Sequence, residues 1–260
     1  MRAQINNYNT RFEPNSTEFS IYNEQRRAKK RWWKRLWQAV AVTFSDAVGG
    51  LVGGPLCGGV TSGLVGVYVF TQNPKITFEL SISRKKMPSV NGVSTSLCPE
   101  DVGSLHNLVL APYFTDSLSF AKFGAMSDLE KGIEIASAMK RSNHSFEIMS
   151  VTDEQVAGYV LLSQKLKDAF VNSESFEEFA DNLRYNIPLD EEMLEVLIAY
   201  MNGLRQTASE ESLNYYLDDM VKFINKSTLS ESAKKSLLNG FYIGKASDDL
   251  WNRQVQYTLK

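Results

Sequence analysis

LWQAVAVTFSDAVGGLVGGPLCGGVTSGLVGVYVF, residues 36–70, carries one charge, Asp46, and none at all across 47–70. As one helix, that uncharged run of 24 residues rises about 36 Å, enough to cross a hydrocarbon core of about 30 Å. Eight of the chain's 16 glycines fall inside it: Gly49, Gly50, Gly53, Gly54, Gly58, Gly59, Gly63 and Gly66. Gly50, Gly54 and Gly58 recur every four residues, as do Gly59 and Gly63. That spacing stacks glycines on one helix face and leaves a groove where another backbone can come close. In water each interior glycine weakens a helix by about 0.8–1 kcal/mol. In lipid no water competes for the backbone, so helix is enforced. The run therefore predicts a membrane helix with Gly50, Gly54, Gly58, Gly59 and Gly63 as packing positions. The alternative is a buried helical hairpin, with Pro55 marking a turn between two shorter helices. A GxGxxG phosphate loop needs a strand–turn–helix setting that this stretch lacks.

RRAKKRWWKRLW precedes the run. Arg26, Arg27, Lys29, Lys30, Arg31, Lys34 and Arg35 interleave with Trp32, Trp33 and Trp37. Basic side chains and indoles beside an apolar run suit a membrane–water interface, so these ten residues are the candidate interface set. Residues 26–46 read as one amphipathic segment. Residues 1–25 are polar, asparagine-rich and without period, and are expected to be a disordered tail.

Charge divides the chain. Residues 1–90 hold 13 Lys+Arg against 5 Asp+Glu, and the remainder 15 against 25; a basic N-terminal third precedes an acidic domain. The basic arm would also suit phosphate, but the apolar run that follows it at once disfavours nucleic acid as the partner. Cys57 and Cys98 are too few to fix a redox compartment. Cys57 lacks the usual lipoprotein spacing, since Gly54, Pro55 and Leu56 precede it. The 35 residues before Leu36 fit a cleavable signal peptide poorly.

Residues 71–98 read as a linker in which KITFELSIS alternates enough for one short strand. From Pro99 to the end the period is helical and about eight helices are expected, in an all-α domain of antiparallel neighbours. PEDVGSLHNLVL ends before Pro112. SDLEKGIEIASAMKR aligns Leu129, Ile133, Ala136 and Met139 on one face. Thr152 and Gln155 have capping-box spacing ahead of Val156, Val160, Leu162, Leu166 and Phe170. Pro188 is read as a first-turn residue, Gly240 as a helix stop, and ASDDLWNRQVQYTL as a last helix. Acidic pairs such as Glu177–Glu178 and Glu210–Glu211 sit in first turns, where they complement the helix dipole. His106 and His144 have no Cys/His partners at metal spacing. No nucleotide-loop, hydrolase or metalloprotease motif occurs. Accordingly no catalytic, cofactor-binding or metal-binding residue is assigned, and no enzyme or cofactor is expected.

DAVGGLVGGPLCGGVTSGLVG behind a basic-aromatic collar resembles the glycine-zipper segments of class II bacteriocin-like peptides. The chain also resembles a group of uncharacterised bacterial proteins that join such a segment to a helical domain with a G-x-LHN stretch and a late A-S-x-x-x-W stretch. Here these are GSLHN at 103–107 and ASDDLW at 246–251. The resemblance implies a family of unknown function with membrane-active ancestry. The functional expectation is a non-enzymatic, membrane-associated protein: the glycine face inserts or self-associates, and the acidic helical domain binds a protein partner. The alternatives are a bacteriocin-like, membrane-active effector, which would be secreted, and a soluble helical interaction protein with the glycine run buried. The basic flank predicts the bacterial inner membrane with the N-terminus cytoplasmic.

Overall fold

The computed structural model describes residues 2–9, 30–71, 76–80, 99–114, 117–142, 150–187, 189–204 and 210–259. They form α1 (Arg2–Asn9), α2 (Lys30–Thr71), β1 (Ile76–Leu80), α3 (Pro99–Leu110), α4 (Ser117–Ala125), α5 (Asp128–Ser142), α6 (Asp153–Val171), α7 (Phe176–Asn186), α8 (Glu191–Leu204), α9 (Glu210–Lys226), α10 (Glu231–Asp248) and β2 (Val255–Leu259). A 3₁₀ turn, Ala111–Tyr113, follows α3, and a π turn, Asp249–Gln254, follows α10. The architecture is all-α apart from one short antiparallel ribbon, in which Ile76 faces Leu259 and Leu80 faces Val255.

α2 is two arms rather than one rod. It breaks at Gly53 and Gly54, and Pro55 opens the second arm. A Cβ built on Gly49 would stand 2.7 Å from Thr61 Oγ1, 2.9 Å from the Cys57 carbonyl oxygen and 3.0 Å from Gly58 Cα. In a straight helix positions 49 and 61 would be about 18 Å apart, so the arms run antiparallel. Of the two expectations for this run, the buried hairpin is the observed form and the single straight helix is corrected. Ala41–Val69 is long and apolar enough by composition to cross a membrane, but it lies mostly buried in the helical domain. α10 lies along the hairpin, with α3, α5 and α6 completing a sheath. α8 and α9 back α10, and α7 lies on α6.

Local chemistry sets the ends of the sheath helices. Thr152 and Gln155 form the expected capping box on α6, and Ser175 and Ser230 cap α7 and α10. Each cap satisfies backbone N–H groups that the first turn leaves open. α8 starts at Glu191, where the Asp190 carboxylate accepts the Met193 N–H; the anchor is Asp190, and Pro188 lies outside the described residues.

Four further expectations are corrected. Within the expected disordered tail, Arg2–Asn9 is a helix against α8, where Ile5 is fully buried and Arg2 pairs with Glu195, while 10–25 lie outside the described residues. α10 runs through Gly240, whose missing Cβ lets the Ala47 carbonyl approach to 2.9 Å of that position. On α5 the buried face holds Gly132, Ile135, Ala136 and Met139, whereas Leu129 and Ile133 face out; the helix turns its smallest residues toward α2 and α6. The C-terminal ASDDLWNRQVQYTL is not a separate helix: its start completes α10 and its end supplies β2. α4 was not anticipated from the sequence.

Two glycines give a paired stability test. Gly49→Ala forces a methyl against backbone atoms and should cost about 1–3 kcal/mol. Gly158, inside α6 with nothing within 4 Å of its Cβ position, should gain about 0.5–1 kcal/mol on replacement by Ala. Urea denaturation of both variants reads the difference.

Candidate functional site: the sheathed glycine hairpin

The glycines of the hairpin divide by what they face. Gly49 and Gly58 let the arms touch backbone to backbone, with the Asp46 carbonyl 3.2 Å from a Cβ position on Gly58. Gly50 and Gly58 admit Ile243 of α10; Gly59 admits Met139, and Gly63 admits Ile135 of α5 and Phe123 of α4. Gly66 lies under the Trp251 indole. Gly54 has φ 64° and ψ −152°, a region that glycine alone enters freely. Thus Gly50, Gly58, Gly59 and Gly63 take part in close helix contacts within the chain, and Gly54 makes the turn. Arg26, Arg27 and Lys29 lie outside the described residues. Lys30, Arg31, Trp32, Trp33, Lys34, Arg35 and Trp37 belong to the start of α2, and their side chains are likewise outside the described set.

Three polar fasteners hold the hairpin in its sheath. In the first, Ser247 of α10 donates its hydroxyl to Asp46 Oδ2 at 2.5 Å. His106 Nε2 of α3 stands 3.7 Å from the same oxygen. His106 Nδ1 contacts Asn107 Oδ1 at 2.8 Å, and the Asn107 amide donates to the Ala246 carbonyl at 2.8 Å. Asp46, His106 and Ser247 are all fully buried. Among the described residues Asp46 Oδ1 and His106 Nε2 have no hydrogen-bond partner. In the second, Thr61 Oγ1 and Ser163 Oγ of α6 meet at 3.0 Å. Each also reaches its own helix, Thr61 to the Cys57 carbonyl and Ser163 to that of Tyr159, both at 2.8 Å. One hydroxyl carries one proton, so two of these three contacts are hydrogen bonds at any instant. In the third, Trp251 Nε1–H donates to Ser62 Oγ at 3.2 Å, with Phe114 edge-on to the indole at 4.7 Å.

Ser, His and Asp together invite comparison with a nucleophilic triad, but the order differs. The hydroxyl here donates to the carboxylate, not to the imidazole that would have to take its proton. What the arrangement does chemically is hold. It ties the single charge of 36–70 to α10, and a buried carboxylate left without such a bond is costly.

The two short stretches singled out in the sequence converge on this point. Gly103 of GSLHN lets α3 approach α10, with the Tyr242 carbonyl 2.7 Å from its Cβ position. His106 and Asn107 follow on the same helix, and ASDDLW supplies Ala246, Ser247 and Trp251. Sequence reading missed their link to Asp46. The available signal was the isolation of Asp46 itself: one carboxylate among 35 residues needs a partner once buried. Among the described residues no cluster of His, Cys, Asp and Glu could hold a metal ion. No protein-family profile, curated protein or solved structure matches the chain.

Removing the Ser247 hydroxyl should cost about 1.5–3 kcal/mol, the range for a bond to a charged group. Ser62→Ala should cost about 1 kcal/mol, since its bond is neutral. Parallel urea melts of the two variants check the ranking.

Proposed function

We propose that this is a non-enzymatic, membrane-associating protein that folds around its own membrane-length apolar segment and presents it to an anionic bilayer. The observation that carries the reading is the central hairpin: Ala41–Val69 has the length and composition of a membrane segment, yet it is stored inside amphipathic helices. In lipid the sheath loses its hydrophobic advantage, because acyl chains solvate the hairpin as well as leucines do. The collar at 26–37 supports the reading, since seven cations and three indoles precede the hairpin and suit anionic headgroups. Storage in a folded, sheathed form is also what a bacteriocin-like effector requires for delivery. Alternatively, in a bacterial cell, the collar would hold the protein to the cytoplasmic face of the inner membrane. The acidic sheath is then the part that meets a protein partner, and glycine faces bared by release are where two copies would associate.

A second reading, a soluble helical interaction protein with the hairpin as permanent core, is favoured by the three polar fasteners. A tether separates the two. In a Cys57→Ala, Cys98→Ser background, Thr61→Cys with Ser163→Cys would tie the second arm to α6 when oxidised. Reduced protein mixed with phosphatidylglycerol vesicles should resist carbonate extraction, and oxidised protein should wash off. Extraction of both forms alike would favour the permanent core. Neutralising Arg26, Arg27, Lys29, Lys30 and Arg31 to Gln should weaken vesicle flotation at low salt by more than about a hundredfold, taking about 1 kcal/mol per cation.

A further inference from the structure

Resting on the membrane reading above, we infer that the hairpin enters the bilayer turn first and intact, so that both its ends stay on the side from which it came. Three features carry this. The turn already stands at the surface of the sheath: Val52 is 44% exposed, and Gly53, Gly54 and Pro55 are partly exposed, while Leu51 and Leu56 on either side are buried. None of these six residues is charged, so the part that meets lipid first carries no ion to desolvate.

The arms hold each other by contacts that lipid does not weaken. Gly49 against Gly58, and Gly58 against the Asp46 carbonyl, are close backbone approaches, and such packing operates in hydrocarbon as it does in protein. Contacts with α5 are apolar side-chain contacts that acyl chains replace, whereas those with α6 and α10 also include the Thr61–Ser163 and Asp46–Ser247 bonds and the approach of the Ala47 carbonyl to Gly240. The arms remain joined through the turn while these are lost, so transfer separates hairpin from sheath before it separates arm from arm.

The ends cannot cross. A single straight helix would have to carry either the collar, with seven cations at 26–35, or the 190 residues of 71–260 through the membrane. Turn-first insertion moves neither. Residues 36–52 and 55–71 number 17 each, about 25 Å of helix. That brings the turn close to the far boundary of a core about 30 Å thick, and local thinning covers the remainder. There the open backbone groups of Gly53 and Gly54 meet water, as a non-helical turn requires. Asp46 is the one charge carried in, and release must break its bond to Ser247 together with those of Thr61 to Ser163 and Ser62 to Trp251.

The experiment places single cysteines in the full chain with Cys57→Ala and Cys98→Ser: Val52→Cys at the turn, Ser16→Cys before the collar, and Tyr185→Cys on α7 outside the sheath, where the native side chain is 88% exposed. Each protein is added to phosphatidylglycerol vesicles. Flotation is measured first. An impermeant maleimide is then supplied outside, or trapped inside. Val52→Cys is expected to lose its labelling from outside and gain it from inside, while Ser16→Cys and Tyr185→Cys stay labelled from outside alone. Inside labelling of Ser16→Cys or Tyr185→Cys would overturn the inference in favour of a straight spanning helix. Flotation with Val52→Cys still labelled from outside would overturn it in favour of surface binding, leaving the membrane reading intact. Absence of flotation would remove both.

Discussion

The contact on which the structure depends is that of two backbones, at Gly49 and Gly58. Where side chains would hold helices about 8–10 Å apart, glycine lets them close until a Cβ has no room. The pair of arms is thin enough to be surrounded, and the sheath follows from that. Ile243, Met139, Ile135 and Trp251 each reach into a place where a hairpin side chain would otherwise be. The same device is used in return by the sheath, where Gly240 and Gly244 of α10 let Ala47 in. Knobs and notches alternate between hairpin and cover, so register along α10 is set by shape before any polar group is counted.

The polar groups then fix what shape leaves free. Apolar surfaces slide at little cost, whereas a buried hydroxyl or carboxylate displaced from its partner does not. Asp46–Ser247, Thr61–Ser163 and Ser62–Trp251 distribute such partners among α10, α6 and the turn after α10. Away from the hairpin, Arg184 and Glu195 join α7 to α8, and the carboxylate pushes the Arg184 guanidinium further up from its already high value. Tyr200 donates to the Phe241 carbonyl and Tyr216 to that of Tyr200, and burial raises the Tyr200 phenol well above its ordinary range. Each is a neutral or paired group fastening one helix of the outer layer to the next.

Four-residue glycine spacing announces close approach, because no other side chain leaves the space. It does not say what approaches, whether lipid, a second copy or the chain's own other arm. Pro55 was the local hint of a turn, and Gly54 confirms it only through its backbone angles. The Thr152–Gln155 cap was readable because its parts are three residues apart. The fastening of Asp46 was not, because its partner is 201 residues away. The helix-stop reading of Gly240 failed for a related reason: a glycine can end a helix or admit a neighbour, and only the neighbour, Ala47, decides. The exposed Leu129 and Ile133 show the limit of periodicity, since two faces of α5 carry apolar residues and the partner surface chose the one with Gly132.

The separation between Asp46 and Ser247 also has a meaning in time. Synthesis at about 5–20 residues per second sets 201 residues apart by about 10–40 s. Through that interval the hairpin is outside the ribosome without α10, the helix that covers the most of it. An apolar, glycine-rich segment unprotected for so long is open to whatever first receives it, a chaperone or a bilayer surface. The nascent chain therefore reaches a branch point before the native state exists, and its outcome is governed by rates as well as by the stability of the finished fold.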